Sequence, residues 1–138
     1  MNEVFLDASY AIALASVKDV HHQRALELAK RLEEEQAHLV TTRAVILEIG
    51  NALARLRFRQ AAVSLLESIE NDPQVEILPL SEELFESTLE MFGNRLDKEW
   101  GLTDCLSFLV MEARELSDAL TADRHFQQAG FRALLLES

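Results

Sequence analysis

The sequence contains little glycine, proline and cysteine. Of its 138 residues, four are glycine and two are proline, and no low-complexity tract interrupts the chain, which argues against disordered segments. The single cysteine, Cys105, excludes a disulfide within the chain. The length is close to the commonest size of one domain, and no linker divides the sequence. We therefore expect a single domain over residues 1–138.

Long hydrophobic runs and a secretory leader are absent as well. No apolar run reaches the roughly 18 residues that a membrane-spanning helix needs, and the first residues, Met1-Asn2-Glu3, lack the basic flank of a signal peptide. These absences predict a cytoplasmic protein without a membrane partner. Apolar residues make up 49% of the chain, and folding a chain of this size buries roughly two-thirds of the surface that the unfolded chain exposes. The sequence can therefore form a core without disulfides.

Positive charge is scarce and unevenly placed. The net charge is −11 and the isoelectric point is near 4.7, whereas contacts with phosphate groups, which supply most of the affinity for nucleic acids, require basic residues. Residues 43–59, however, contain four arginines and a single acid, Glu48, which gives a local charge of +3. Composition alone therefore leaves a nucleic-acid enzyme open.

Hydrophobic patterning predicts strands that alternate with helices. Short apolar runs predict five strands, at residues 4–6, 38–42, 75–78, 119–121 and 131–136. Between them, helical periodicity and capping residues predict helices at 8–17, 21–36, 43–71 with a break near Phe58, from Ser81 onward, from a Thr103 cap to about 116, and at 124–129. This alternation is typical of an α/β domain with a mostly parallel sheet.

Four carboxylates stand where such a fold places its ligand site. Ligands of open α/β sheets bind beyond the carboxyl ends of the strands. Asp7 directly follows the first predicted strand and Asp123 follows the fourth, Glu48 lies in the first turns of the helix after the second strand, and Asp104 follows the predicted cap Thr103. If the sheet is parallel, all four can point into one crevice.

Four carboxylates at close range repel one another, and their pKa values rise unless a cation lies between them. Mg²⁺ suits such a site, because it prefers oxygen ligands and is usually held by one or two carboxylates and several waters. It can activate a water molecule and stabilise the charge that develops on a phosphodiester. Each acid alone could equally be a solvated or capping residue, so the metal interpretation depends on their joint placement.

The order and flanks of these acids resemble a known family. The segments are DAS at residues 7–9, EIGN at 48–51, LTDCLS at 102–107 and LTADRHF at 120–126. They resemble the PIN domain and, within it, the VapC-type toxin ribonucleases of bacterial toxin–antitoxin pairs. The resemblance extends over residues 4–135. It implies a three-layer α/β/α sandwich with a five-stranded sheet, Mg²⁺- or Mn²⁺-dependent cleavage of single-stranded RNA, a small antitoxin as partner, and a homodimer.

The resemblance also implies roles for individual residues. Asp7, Glu48, Asp104 and Asp123 would be the catalytic acids. Asp7 and Asp104 would bind the metal, Asp123 would bind it directly or through water, and Glu48 would orient or deprotonate the attacking water.

Two hydroxyls complete the implied site. Ser9 and Thr121 would hold metal-bound waters, with capping of the first helix as an equal alternative for Ser9. His125, two residues after Asp123, could reach a substrate phosphate, although a surface role is the commoner one.

Two other functions would also suit a small acidic α/β domain. A phosphotransfer domain also uses Mg²⁺ on a small acidic α/β fold, but it would require paired acids after the first strand and a lysine after the last. Here Ala8 follows Asp7, and no lysine occurs after Lys98. The stronger rival is a PIN-like module that binds RNA or protein without cleaving it. The presence of all four acids favours the nuclease.

Overall fold

Five parallel strands form the central sheet in the computed structural model, which describes residues 2–138. The strands are β1 Glu3–Leu6, β2 His38–Thr42, β3 Val75–Leu78, β4 Asp118–Leu120 and β5 Arg132–Ala133. Their order across the sheet is β3-β2-β1-β4-β5, and every neighbouring pair is parallel. The predicted α/β class and its parallel five-stranded sheet are confirmed.

The helices connect these strands. They are α1 Ala8–Ala15, α2 His22–Glu34, α3 Arg43–Ala52, α4 Leu56–Asn71, α5 Glu82–Asn94, α6 Leu102–Ala113 and α7 Arg124–Gln128, followed by a 3₁₀ turn, Leu134–Leu136. Crossover connections between parallel strands are right-handed. Because the chain moves from β1 toward β3 and then crosses to β4 and β5, its helices cover both faces of the sheet. The result is the three-layer α/β/α sandwich that the sequence predicts.

The strand order also creates a switch point between β1 and β4. The chain leaves β1 toward one edge of the sheet and leaves β4 toward the other, which opens a crevice at the carboxyl ends of these two strands. Phe5 pairs with Ala119 and Leu6 with Leu120. The residues that follow, Asp7 and Thr121, are therefore neighbours at the mouth of this crevice.

The core lies beneath the crevice. Val4, Phe5 and Leu6 are buried because β1 is the central strand and is covered on both faces. The Phe126 ring packs 6.2 Å from the Phe5 ring and 5.0 Å from the Phe108 ring, in centroid distances. Phe126 belongs to α7 and Phe108 to α6. This cluster therefore fixes α6 and α7, which position Asp104 and Asp123, against β1, which ends directly before Asp7.

The structure corrects three of the predicted elements. Helix α6 begins at Leu102 with Gly101 as its N-cap, so the prediction that Thr103 is the cap is wrong. The long third helix is broken at residues 53–55, before Phe58. The fifth strand ends at Ala133, and the leucines after it form the 3₁₀ turn because the Leu135 N–H turns back to the Thr121 carbonyl, at 3.1 Å.

Along residues 2–138, no helix is long and apolar enough to cross a membrane.

Candidate active site

Asp7 is the most deeply placed acid of the crevice. It is the N-cap of α1, directly after β1, and only 7% of the residue is exposed. Its backbone N–H donates to the Leu120 carbonyl at 3.2 Å, which joins the ends of β1 and β4. Burial raises the pKa of Asp7, hydrogen bonds from Thr121 and Ser9 oppose the rise, and the charge of Asp104 adds to it.

Two hydroxyls hold the Asp7 carboxylate in place. Thr121 Oγ1 donates to Asp7 Oδ2 at 2.7 Å, and Ser9 Oγ donates to the same oxygen at 3.1 Å. The two hydroxyl oxygens lie 3.2 Å apart and also accept backbone N–H groups, that of Ala122 for Ser9 and that of Asp123 for Thr121. Since a hydroxyl has one proton to donate, these contacts give Ser9 and Thr121 the task of orienting Asp7.

The prediction that Ser9 and Thr121 hold metal-bound waters stays a prediction. In the structure, both hydroxyls orient the Asp7 carboxylate. The alternative for Ser9, capping of α1, does not occur, because the N-cap of α1 is Asp7 and no side chain makes a capping hydrogen bond there.

Asp104 projects from the first turn of α6. It is the third residue of the helix, and its Oδ2 accepts the Gly101 N–H at 3.1 Å. A carboxylate at this position satisfies one of the free N–H groups of a helix start and interacts favourably with the helix dipole. The prediction that Asp104 lies at a helix N-terminus is confirmed. In the structure Asp104 is the third residue of the helix, whereas a Thr103 cap would have made it the first.

Asp123 and His125 face Asp104 from the start of α7. Asp123 is the N-cap of α7 and accepts the His125 N–H at 2.8 Å. The ring of His125 turns back over the crevice, with Nδ1 at 2.9 Å from Asp104 Oδ2 and 3.4 Å from Asp123 Oδ1. The hydrogen bond to Asp104, followed by the charge of Asp123, raises the pKa of His125. One ligand atom from each of the three residues lies within 4.8 Å of the others, so they could hold a metal ion together.

His125 is the site residue whose position the sequence did not resolve. The suggestion that it reaches a substrate phosphate is untested, and in the structure its ring lies between two acids. One signal could have located it. In the segment Asp123-Arg124-His125, an N-cap aspartate is followed by the histidine whose N–H it accepts, which fixes the histidine backbone beside the aspartate.

Glu48 lies in the middle of α3 and completes the group of acids. The residue is exposed to solvent. Even so, desolvation of its carboxyl group, followed by repulsion from Asp7, Asp104 and Asp123, raises the pKa of Glu48 to about 7. A shift with these causes means that all four predicted acids share one electrostatic environment. The structure thus places Asp104 and Asp123 within ligand distance of each other, and it places Asp7 and Glu48 near enough for their charges to interact with that pair.

The donor set fits a divalent cation. Within the described residues, no lysine or arginine forms an ion pair with any of the four acids, and His125 is the one basic group at hydrogen-bond distance from them. No lysine or arginine of residues 2–138 therefore compensates the negative charge of the crevice, and His125 can offset only part of it. Carboxylate oxygens at short range with a free side open to solvent are the ligands that Mg²⁺ and Mn²⁺ take in proteins.

Comparisons with known proteins agree with this architecture. The PIN domain family profile matches residues 4–132. The chain is 29% identical over 129 residues to the 23S rRNA-specific endonuclease VapC20 of Mycobacterium tuberculosis, in strain CDC 1551 / Oshkosh and in strain ATCC 25618 / H37Rv. The match covers 93% of this chain and 95% of each relative.

A solved structure gives the same result for the fold. The crystal structure of M. tuberculosis VapC20, described as a Sarcin-Ricin loop cleaving toxin, superimposes on this chain with a TM-score of 0.81 and 27% identity. The superposition covers 94% of this chain and 96% of the other. The family profile spans all four acids, from Asp7 to Asp123, and with the shared fold it confirms the resemblance inferred from the sequence: the chain belongs to the PIN domain family.

Proposed function

We propose that this chain is a metal-dependent endoribonuclease and the toxin of a toxin–antitoxin pair. The observation that carries the proposal is the convergence of Asp7, Glu48, Asp104 and Asp123, which no lysine or arginine neutralises within residues 2–138. Membership of the PIN domain family and similarity to an RNA endonuclease over 93% of the chain support the same reaction.

The metal would be held by Asp7, Asp104 and Asp123. Mg²⁺ or Mn²⁺ at this point supplies a Lewis acid, which polarises the phosphodiester and stabilises its developing negative charge. Thr121 and Ser9 keep the Asp7 carboxylate in one orientation, and His125 does the same for Asp104. Second residues that orient metal ligands in this way commonly contribute ten- to hundredfold to affinity or activity.

Glu48 would act on water. In the metal-free protein the pKa of Glu48 is about 7, and a bound cation would lower it by offsetting the charge of the other acids, so the group would be a carboxylate able to accept a proton at neutral pH. The attacking water would form the new bond to phosphorus as its proton passes to the Glu48 carboxylate. The bond from phosphorus to the leaving oxygen would break, with its electron pair going to that oxygen, which would take a proton from solvent.

The substrate follows from the relatives that the chain matches. VapC20 is named for 23S rRNA, so 23S rRNA is the first substrate to test, beside an unstructured single-stranded RNA. The test is the incubation of purified protein with each RNA in the presence of Mg²⁺, Mn²⁺ or EDTA. Cleavage that requires metal and stops in an Asp104→Asn variant supports the proposal. A protein that binds RNA but never cleaves it would be the non-catalytic module. Because RNA is the proposed substrate, we propose that the protein acts in the cytoplasm.

We further propose a homodimer that pairs through α5. Phe85, Leu89 and Phe92 recur at intervals of four and three residues along α5, and all three are exposed. This spacing places them on one side of the helix, and α5 also packs against α6, which carries Asp104. Sedimentation at micromolar concentration tests the dimer, with Leu89→Glu as the disrupting variant. A monomeric wild type contradicts it.

An antitoxin is the second proposed partner. VapC-type toxins are held inactive by a small protein encoded beside them, and the reading frame next to this gene is where such a protein is expected. Co-expression and co-purification with the neighbouring product test this, with loss of RNA cleavage in the complex as the expected result.

A further inference from the structure

The segment between α3 and the first turn of α4 is the most concentrated unneutralised positive charge of this acidic chain. Residues 55–59 read RLRFR, and we call them the arginine segment. All three of its arginines are exposed. Within residues 2–138 none of them pairs with a carboxylate: Arg55 has no polar partner, Arg57 lies over the Phe58 ring, and Arg59 donates to the Ala54 carbonyl.

The other arginine of the basic region is already occupied. Arg43 pairs with Glu70 of α4, so the arginines of residues 43–59 that have no carboxylate partner are the three of the arginine segment. Most other cations of the chain are also paired, for example Arg114 with Glu76 and Arg132 with Glu137. With a net charge of −11, three arginines within five residues, none of them paired with a carboxylate of residues 2–138, are unusual here and favour a negatively charged partner from outside the chain.

The segment is close to the acids but does not neutralise them. At 1.5 Å per residue, the end of α3 at Ala52 lies roughly 6 Å along the helix axis beyond Glu48, and Arg55 follows three residues later. Residues 53–55, between α3 and α4, separate Ala52 from the rest of the segment, and none of its arginines pairs with an acid of the crevice within residues 2–138. The arginines are therefore available to an RNA strand that extends from the crevice along α3.

The chemistry of the segment matches single-stranded RNA. Its cations alternate with apolar side chains, of which Leu56 is 86% and Phe58 39% exposed, and the Arg57 guanidinium carbon lies 4.7 Å from the centre of the Phe58 ring. Proteins hold single strands by combining cations for the phosphates with aromatic rings or guanidinium planes on which bases stack. An acidic protein segment would also use the charge, but cations alternating with a flat ring match the alternating phosphates and bases of a single strand more closely.

We propose that the arginine segment is the RNA-docking surface of this enzyme: Arg55 and Arg57 bind phosphates of the strand next to the cleaved bond, and Phe58 with Arg57 stacks a base. This inference rests on the proposed function, because it names how the substrate of that same site is held. It also explains how a chain of this acidity binds RNA, since the attraction is local and phosphate contacts supply most of the affinity.

The decisive variant is Arg55→Gln, Arg57→Gln, with Lys18→Gln, Lys30→Gln as its matched control. Arg59 is left in place because it holds the Ala54 carbonyl at the helix junction. The control removes the same charge from exposed cations before and within α2, away from the crevice. Both are made in an Asp104→Asn background and titrated against a short, labelled single-stranded RNA, so that binding is measured without cleavage.

We expect the arginine variant to bind RNA roughly tenfold more weakly at physiological salt and to lose about 1.4 from the slope of log Kd against log salt, about 0.7 for each phosphate contact. The control should stay within about twofold of the parent. Phe58→Leu should weaken binding by roughly tenfold without changing the slope, as expected for a lost stacking contact. Leu26→Ala, which trims an exposed apolar side chain of α2 at 44%, is its control and should have no effect.

Three results would overturn the inference. Equal losses in the arginine variant and the lysine control would mean that only total charge matters. RNA binding unchanged in the arginine variant, or absent in the parent, would remove the segment from substrate binding. Displacement of RNA by polyglutamate at equal charge would assign the segment to an acidic protein partner. Cleavage of RNA by wild type is measured separately. Cleavage together with unchanged binding in the arginine variant would keep the proposed function and reject this inference. RNA binding through the segment without cleavage would keep this inference and reject the proposed function.

Discussion

Thr121 Oγ1 donates a 2.7 Å hydrogen bond to Asp7 Oδ2, although the two residues are 114 positions apart in the chain. The contact exists because β1 and β4 are neighbours in the sheet and end in register. It carries out two tasks at the switch point. It gives a buried carboxylate a hydrogen-bond donor, and it fixes the orientation of that carboxylate at the mouth of the crevice.

We expect Thr121→Val to separate this role from simple packing. Valine has nearly the same shape as threonine but cannot donate, so the Asp7 carboxylate loses its shorter hydrogen bond. Loss of such an orienting contact typically costs ten- to hundredfold in metal affinity or activity. Isothermal titration with Mn²⁺ and RNA cleavage should both show the loss, whereas Thr121→Ser, which keeps the hydroxyl, should restore most of it. Identical behaviour of the two variants would show that the hydroxyl has no role.

Divalent metal should stabilise the folded protein. Repulsion among the four acids lowers stability, and a cation that binds only the folded state offsets it, by about 2.7 kcal/mol at a hundredfold excess over Kd. Adding millimolar Mg²⁺ or Mn²⁺ to chelated protein should therefore raise Tm by several degrees in a thermal melt. The double variant Asp7→Asn, Asp104→Asn should melt higher than wild type in EDTA and respond little to metal. A wild type that ignores both ions would mean that the acids are not a metal site.

Much of this site could be predicted from the sequence because it lies at the ends of strongly patterned strands. The observed bounds of β2 and β3 agree with the predicted ones, since their apolar runs are closed by clear stop signals, such as Pro79 after β3. A parallel sheet then brings Asp7 and Asp123 together without further information. Glu48 follows because α3 begins directly at the end of β2, capped by the Thr42 side chain.

The errors fall where the sequence signal is ambiguous or tertiary. The break between α3 and α4 contains neither glycine nor proline, and its Ala54 carbonyl is satisfied by the Arg59 side chain, a contact that no local pattern reveals. A run of leucines reads equally well as a strand or a 3₁₀ turn, and the hydrogen bond from Leu135 to Thr121 decides between them. The pairing of His125 with Asp104 joins two helices and is invisible before the fold is known.

Glu48 should make stability fall as pH rises through neutrality when metal is absent. Its pKa in the folded protein is about 7, raised from an ordinary value of 4.5. Between these values the folded state holds a proton that the unfolded state has lost, so this contribution is complete below about 4.5 and is lost as pH rises through about 7. In EDTA, the Tm of wild type minus that of Glu48→Gln should be lower at about pH 8 than at about pH 5. A pH-independent difference would contradict the shared electrostatic environment.

Glu76, in the edge strand β3, should give stability the opposite pH dependence. It accepts two hydrogen bonds from Arg114, at 3.0 and 2.9 Å, and one from His38 at 3.1 Å, and these contacts lower its pKa from 4.5 to about 2. The stabilisation is present above about 4.5 and is lost as pH falls through about 2. Glu76→Gln should lower Tm at pH near 7, with the difference shrinking below about pH 4.5. Glu86→Gln, an exposed acid of α5, is the control and should change Tm little at any pH.

Asp104→Asn should abolish cleavage while preserving the fold. The asparagine side-chain oxygen can still accept the Gly101 N–H, as Asp104 Oδ2 does at 3.1 Å, so the start of α6 and the circular dichroism spectrum should stay unchanged. What is lost is the charge that holds the metal. Since each 1.4 kcal/mol of lost transition-state stabilisation is about tenfold in rate, a loss of several kcal/mol predicts a fall in RNA cleavage of roughly a hundredfold or more.

Three controls accompany the Asp104→Asn variant: EDTA, single-stranded DNA and a second acid-to-amide substitution. EDTA added to wild type should reproduce the effect of Asp104→Asn, and single-stranded DNA should be a poorer substrate than RNA for the active protein. Asp118→Asn, an acid of β4 that pairs with Arg132 away from the crevice, should cleave like wild type. Equal cleavage by wild type and Asp104→Asn, from preparations purified identically, would identify a contaminating nuclease as the source of activity. In that case the four carboxylates would belong to a binding module, and the arginine segment would remain to be tested as its RNA contact.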